Sequence, residues 1–314
     1  MSRSLKAHAL LIGMAFVWGS TFVLVKDALL DCTPQLFNAI RFSLSAVLLA
    51  LLYRRYLAGI SRRTIAAGML VGAFLATAYM LQNAGLRLTT PSKSAFLTGV
   101  SVVLVPVFLA LGWHRKINGW TLLGVAAAFF GLYLLTVPAS TPANATGGIG
   151  VGGGGWGGLG GINLGDLLTL GCAAAFALQV IVLGRVIQKH AFRQIVVVEI
   201  GTCALLMAFT ALWEQPHIVV SPTVLWALGI TIFLSTVGGF AAQGWAQQFT
   251  PPTHTALIFS LEPVFAWGTS YLLVGERLGV RGAAGACLIL AGVLMSELCG
   301  RVREPAAELA EEVR

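Results

Sequence analysis

The chain has 314 residues, of which 57% are apolar and only 10% charged, and it carries a net charge of +8. A soluble domain carries about 25% charged residues, so most of this chain cannot face water and lipid is its expected solvent. The basic excess does not mark a nucleic-acid binder, because it falls in short clusters between apolar runs: Arg54, Arg55, Arg62, Arg63; Arg115, Lys116; Arg185, Lys189, Arg193.

A spanning helix needs about 20 mostly apolar residues. Reading between charge clusters and Pro/Gly breaks predicts an all-α membrane protein with ten transmembrane helices, over residues 7–27, 35–53, 64–84, 94–112, 118–137, 165–184, 194–213, 223–245, 255–274 and 281–299. Arg3 and Lys6 precede the first run as in a signal peptide, but no small-residue cleavage site follows, so this run reads as an uncleaved helix. Asp31 before Cys32 also makes a poor lipoprotein site. The connections are short except 138–163, which is rich in glycine. There Gly148, Gly150 and Gly153 fit G-x-G-x-x-G, but no strand precedes them, and the segment reads as a flexible external linker. Asn144-Ala145-Thr146 is a glycosylation sequon only in a eukaryotic secretory pathway. No G-K-[ST] occurs, so the chain has no nucleotide loop of its own. The five cysteines lack paired spacing and read as small buried hydrophobes; neither a metal site nor a cofactor is expected. Trp113, Trp120, Trp213 and Trp226 fall near helix ends, where interfacial tryptophans sit.

With the N-terminus in the cytoplasm, 14 basic residues fall inside and 5 outside, leaving Arg41 within the second helix. This bias predicts both termini inside, with 301–314 as a charged cytoplasmic tail.

A shift of 161 residues aligns the two halves without a gap. Gly68, Gln82, Thr89, Pro91 and Ala95 meet Gly229, Gln243, Thr250, Pro252 and Ala256, and Gly124 and Gly131 meet Gly285 and Gly292. The halves are then a first five-helix repeat over 7–137 and a second over 164–300. An odd helix number makes the second copy enter from the opposite side, giving a 5+5 inverted-topology repeat, an architecture many transporters use to alternate access.

Several blocks carry a resemblance to a known family: Trp18-Gly19-Ser20-Thr21-Phe22; Arg41-Phe42; Pro91-Ser92-Lys93-Ser94-Ala95-Phe96-Leu97-Thr98-Gly99 leading to Pro106; Gln243-Gly244-Trp245-Ala246-Gln247; Ala256 to Ala266; and Gly275-Glu276-Arg277-Leu278. In these the chain resembles the drug/metabolite transporter superfamily, specifically the EamA-type permeases, over about residues 7–300. The resemblance implies secondary transport, often efflux, of small metabolites such as amino acids or sugars, from an inner (plasma) membrane. The first half departs from the duplicated Gly-Glu motif, with Arg115 opposite Glu276, and Lys93 puts a charge at the start of the fourth helix.

Charge in the bilayer interior costs about 2.5–3.5 kcal/mol on insertion scales, so retained charges face protein or a wet cavity. Arg41, Glu199 and Glu262 qualify. Arg41 is a candidate to hold a substrate carboxylate by a bidentate pair, or it bonds helix-end carbonyls. Glu262 directly precedes Pro263, where a helix distorts, and is a candidate for substrate amine, cation or proton binding; a structural carboxyl is the alternative. Glu199 is expected to pair with a Lys or Arg near the inner surface. Asn38 matches Glu199 across the repeat, and Trp18 matches Gln179. Tyr79, Gln82 and Gln243 complete the substrate-binding candidates. Pro263 and Glu276 join Glu262 as coupling or gating candidates. The function expected is a secondary-active exporter of small metabolites such as amino acids or related compounds, with a proton or ion gradient as a candidate partner and a homodimer left open. An intramembrane enzyme lacks support, since neither H-E-x-x-H nor G-x-S-x-G occurs. A passive small-solute channel is the other alternative.

Overall fold

The computed structural model describes residues 3–86, 88, 97–113, 117–136, 164–274 and 279–299. Glu276, Lys93, Arg115, the linker and the tail lie outside the described residues. The helices are α1 Arg3–Ala28, α2 Pro34–Leu52, α3 Arg62–Leu86, α4 Ser101–Trp113, α5 Gly119–Thr136, α6 Leu164–Lys189 and α7 Phe192–Ala211. They continue with α8 Pro222–Ala246, α9 Pro252–Phe259, α10 Glu262–Val274 and α11 Val280–Cys299. A single turn, Arg54–Leu57, follows α2. Among the described residues there is no strand, only an isolated antiparallel bridge between Cys32 and Ile218. Five helices, α2, α3, α6, α7 and α8, are long and apolar enough to cross a membrane; residues 97–112, 119–134 and 280–296 form shorter apolar helices.

Local chemistry explains the boundaries. Pro34, Pro222 and Pro252 open α2, α8 and α9, at a position where the missing N–H costs nothing. Ser221 caps α8 by accepting from Val224 N at 3.3 Å. Gly59 holds φ +74° in the turn before α3, a conformation that favours glycine. Residues 255–274, expected as one helix, are two: α9 stops at Phe259 and α10 starts at Glu262, with Pro263 as its second residue. The helix α8 is also uneven, with Thr231–Gly238 wound as a π-helix between two α-helical stretches.

Lipid tails are as apolar as leucine, so helices here associate through close van der Waals contact at small residues. On α5 and α11, Cβ atoms built at Gly124 and Gly131 would lie 2.6 Å from Gly292 O and Gly285 O, and one at Gly292 would lie 2.5 Å from Gly124 O. Gly68 and Gly72 seat α3 on α7 against Val198, Glu199 and Thr202. Gly19 seats α1 on α10, where a Cβ would lie 2.5 Å from Glu262 O.

The packing partners follow a pattern. Helix α5 lies on α11 and α2 on α7; α3 packs on α6 and α7, and α8 on α1 and α2. The helix ends repeat the pattern. At one end of the α2/α7 pair, Thr33 N donates to His217 O at 2.9 Å, and His217 N donates to Thr33 Oγ1 at 3.3 Å. There Gln35 N also donates to Glu214 Oε2 at 2.8 Å. At the other end Gln194 Nε2 donates to Tyr56 O at 2.7 Å, and Arg193 stacks over the Tyr56 ring at 4.3 Å. Thr33 and Gln194 are 161 apart in sequence, and so are Tyr56 and His217.

Candidate functional site

Two buried polar clusters occupy the interior. The first is built on α2, where Asn38, Arg41 and Ser45 share one face and are all buried. Arg41 and Ser45 meet the π-helical stretch of α8. Arg41 Nε donates to Thr236 Oγ1 at 2.7 Å, Arg41 Nη2 donates to Ser235 Oγ at 2.9 Å, and Ser45 Oγ donates to Ile232 O at 3.5 Å. Trp18 Nε1 on α1 donates to the backbone oxygen of the same Ser235 at 3.0 Å. The π-helix thus presents two hydroxyls and two carbonyls to α1 and α2, consistent with the frequent occurrence of π-turns at functional positions.

Aromatic rings enclose the guanidinium. Arg41 lies 5.2 Å from the Phe42 ring centroid and 5.7 Å from that of Tyr79 on α3. Tyr79 packs edge-on against Phe42 and against Phe176 on α6. Trp18 packs against Phe240 and Phe259 at 5.7 and 5.0 Å. Tyr79 also stands within electrostatic range of both Arg41 and Glu262. Among the described residues Arg41 has no carboxylate partner; hydroxyls and ring faces hold it instead.

The second cluster joins α6, α7 and α8. Gln179 Nε2 donates to Glu199 Oε1 at 2.7 Å. Gln243 Nε2 donates to Gln179 Oε1 at 3.3 Å and to Gln247 Oε1 at 3.4 Å, and Gln247 Nε2 donates to Val180 O at 3.0 Å. These four side chains are at most 2% exposed. The partner of Glu199 is therefore an amide, not the Lys or Arg expected from the sequence; its Oε2 and Gln243 Oε1 are buried without a partner. Cys203, one turn beyond Glu199, lies within electrostatic range of both Glu199 and Arg41, which places the two clusters side by side.

Glu262 opens α10 at the break after α9, half-buried and next to Pro263. It is the acidic residue of the first turn of α10, the end of a helix where negative charge is favoured. The structure therefore gathers Trp18, Asn38, Arg41, Tyr79, Gln179, Glu199, Gln243 and Glu262 into the interior of one helix assembly. Gln82 is half-buried on α3 and has no part in either chain of hydrogen bonds. Glu276 lies outside the described residues.

Ser235, Thr236 and Gln247 were missed from sequence. Gln247 carried a signal, its i,i+4 spacing from Gln243 on a helix. Ser235-Thr236 carried little, because hydroxyls in an apolar helix commonly bond their own backbone. In chemical terms the described residues of the interior offer a cation on a hydroxyl seat, two carboxyls with no cationic partner among them, and aromatic walls. Among the described residues no group of three His, Cys, Asp or Glu side chains could hold a metal.

The comparisons with known proteins agree with one another. Residues 5–137 and 163–298 each match the model of the EamA-like transporter family. An uncharacterized transporter of Archaeoglobus fulgidus is 29% identical over 285 residues, covering 91% of this chain and 83% of that protein. The uncharacterized transporter YoaV of Bacillus subtilis is 20% identical, covering 91% of this chain and 94% of its own. A solved crystal structure superposes with a TM-score of 0.74 over 94% of this chain and 97% of that one, at 14% identity, which shows a shared fold.

Proposed function

Because the chain belongs to the EamA-like transporter family, we propose that it is a secondary-active exporter of small metabolites such as amino acids and related compounds, working by alternating access. In this reading ten transmembrane helices form a 5+5 inverted repeat, with the first repeat over 7–137, a Gly-rich external linker over 138–163, the second repeat over 164–300 and both termini in the cytoplasm of an inner membrane.

Three observations support the architecture. The family model matches twice, once on each side of the linker. Helices α5/α11 and α2/α7 pack as mates of the 161-residue offset. The glycine seam is self-complementary: Gly124 meets Gly292 and Gly131 meets Gly285, the exchange a two-fold axis requires.

The observation that carries the transport reading is Arg41, buried in the interior with no carboxylate partner among the described residues. A charge that costs several kcal/mol to place in a membrane is retained for use. In the proposed mechanism, Arg41 receives a substrate carboxylate on the donors it does not spend on Ser235 and Thr236. Tyr79 and Trp18 line the path, and Glu262 at the α9/α10 break exchanges a proton or receives a substrate ammonium. Glu199 and its glutamine partners hold α6, α7 and α8 in register, and Glu276 serves in gating.

The test is flux of a labelled metabolite panel in proteoliposomes, with and without a pH gradient, for wild type and Glu262→Gln. Saturable, gradient-driven flux that loses its gradient response in the variant is the expected result. Flux that never saturates would make the protein a channel, and chemical conversion of any compound would make it an enzyme.

A further inference from the structure

Away from the interior clusters, the lipid-facing side of the α3/α7 contact carries a groove of about 410 Å3. Its walls are Ile65 and Met69 on α3, and Val198, Thr202, Leu205 and Leu206 on α7, with Gly201 as its floor. A Cβ at Gly201 would meet nothing within 4 Å, so the missing side chain leaves the groove open. The hydroxyl of Thr202 donates to Val198 O at 2.8 Å and brings no free polar group into it.

The foot of this groove is cationic. The two helices run parallel, as Thr64 bonds His190 at their starts and Gly72 meets Glu199 and Thr202 further along. Arg62 stands one turn before Ile65 and two before Met69 on the same face of α3, and Arg63 beside it is exposed. On the α7 side, Gln194 lies one turn before Val198 and bonds Tyr56 O, while Arg193 stacks on the Tyr56 ring. That contact draws the loop bearing Arg54 and Arg55, both exposed, to the start of α7. No Asp or Glu occurs between Asp31 and Asp166, or between Asp166 and Glu199, so these segments bring no anion of their own. The first turn of α7 holds no acidic residue either, leaving its positive end unopposed.

We infer that the α3/α7 groove binds one anionic phospholipid, with an acyl chain along Gly201 and the phosphate at the Arg62/Arg63 foot. An apolar slot continuous with a cluster of cations matches both parts of such a molecule, and basic pockets between membrane helices are known to take acidic headgroups. The acidic tail, with Glu304, Glu308, Glu311 and Glu312, matches only the cations. This site is separate from the proposed substrate path and does not depend on it.

The test is lipid titration of the full chain in neutral detergent, with bound lipid counted by native mass spectrometry and thermal unfolding followed in parallel. The probes are phosphatidylglycerol and phosphatidylcholine with identical acyl chains. One phosphatidylglycerol is retained, with a raised melting temperature, and phosphatidylcholine is not. R62Q/R63Q weakens that retention on the order of 30-fold, about fivefold for each cation lost. Gly201→Leu fills the slot and abolishes it, while the lipid-free melting temperature stays at or above wild type. Equal retention of both lipids overturns the inference, as does unchanged phosphatidylglycerol binding in Gly201→Leu. Protection by glycerol phosphate alone would make it a free-phosphate site. Binding that appears only when the four tail glutamates are changed to glutamine would make the tail the occupant.

Discussion

Substituting Gly292 by alanine tests the α5/α11 seam. The new Cβ would lie 2.5 Å from Gly124 O, 3.1 Å from Ala128 N and 3.3 Å from Ala127 Cβ. Two of these three atoms are backbone, so no side chain can swing aside. The helices must retreat by about 0.9 Å to reach ordinary contact at 3.4 Å, and an interior packed to crystal density resists that. Overpacking of this kind costs about 1–3 kcal/mol, which lowers the melting temperature by about 2–6 °C. The assay is thermal unfolding in detergent, with Gly13→Ala as control. Gly13 faces outward and its Cβ would meet nothing within 4 Å, so the control gains helix propensity, up to about 1 kcal/mol, and melts at or above wild type. Gly124→Ala added to Gly292→Ala costs less than it does alone, because the seam is already open and neighbouring sites couple. A Gly292→Ala protein that melts with wild type, or full additivity in the pair, would refute the backbone contact.

Other outcomes follow from the clusters and the loops. Arg41→Lys loses flux in proteoliposomes while the chain still folds, because one ammonium cannot reproduce the planar fork on Ser235 and Thr236; wild-type flux would remove Arg41 from the mechanism. Gln179→Leu strips Glu199 of its donor and costs about 1.5–3 kcal/mol. Glu199→Gln keeps an acceptor there, so it should melt at a higher temperature than Gln179→Leu, and the reverse order contradicts the network. Ile218→Cys faces the native Cys32 across an antiparallel bridge, within disulfide reach. Burial raises the Cys32 thiol pKa, so its reactive thiolate grows with rising pH, and cross-linking followed by gel shift runs faster at ~pH 9 than at ~pH 7. A rate indifferent to pH would mean a thiol already ionised at ~pH 7, the opposite of the upward shift.

The helix content, the seam glycines and most interior polar residues were legible because they rest on composition and one constant offset. The offset marked Gly124 with Gly285 and Gly131 with Gly292 as repeat equivalents, while the contacts themselves cross, Gly124 against Gly292 and Gly131 against Gly285. The break before Glu262 was half legible: Pro263 signalled distortion, but two separate helices required the geometry of Ser260 and Leu261. The π-helix of α8 was not legible, since Thr231–Gly238 reads as an ordinary stretch of apolar helix and the wider winding is a property of its main-chain bonds. The Gln179–Glu199–Gln243 chain was not legible either. Its members were named one by one, but which amide faces which carboxyl depends on how α6, α7 and α8 are rotated about their axes.

The two ties that bracket α2 and α7 set a resting balance. They occupy corresponding positions at opposite ends of the pair, yet their chemistry differs. Around Thr33 and His217 the tie is mostly main chain, reinforced by Glu214; around Tyr56 and Gln194 it is one amide and a stacked guanidinium. In a carrier that opens each end in turn, two identical ties would leave both orientations equally occupied. Unequal ties tilt the empty protein toward releasing the weaker one, and a difference of about 1.4 kcal/mol is enough for a tenfold preference. If the protein alternates as proposed, its idle orientation is set by a few loop residues away from the interior clusters, where substitutions would shift it without altering what is carried.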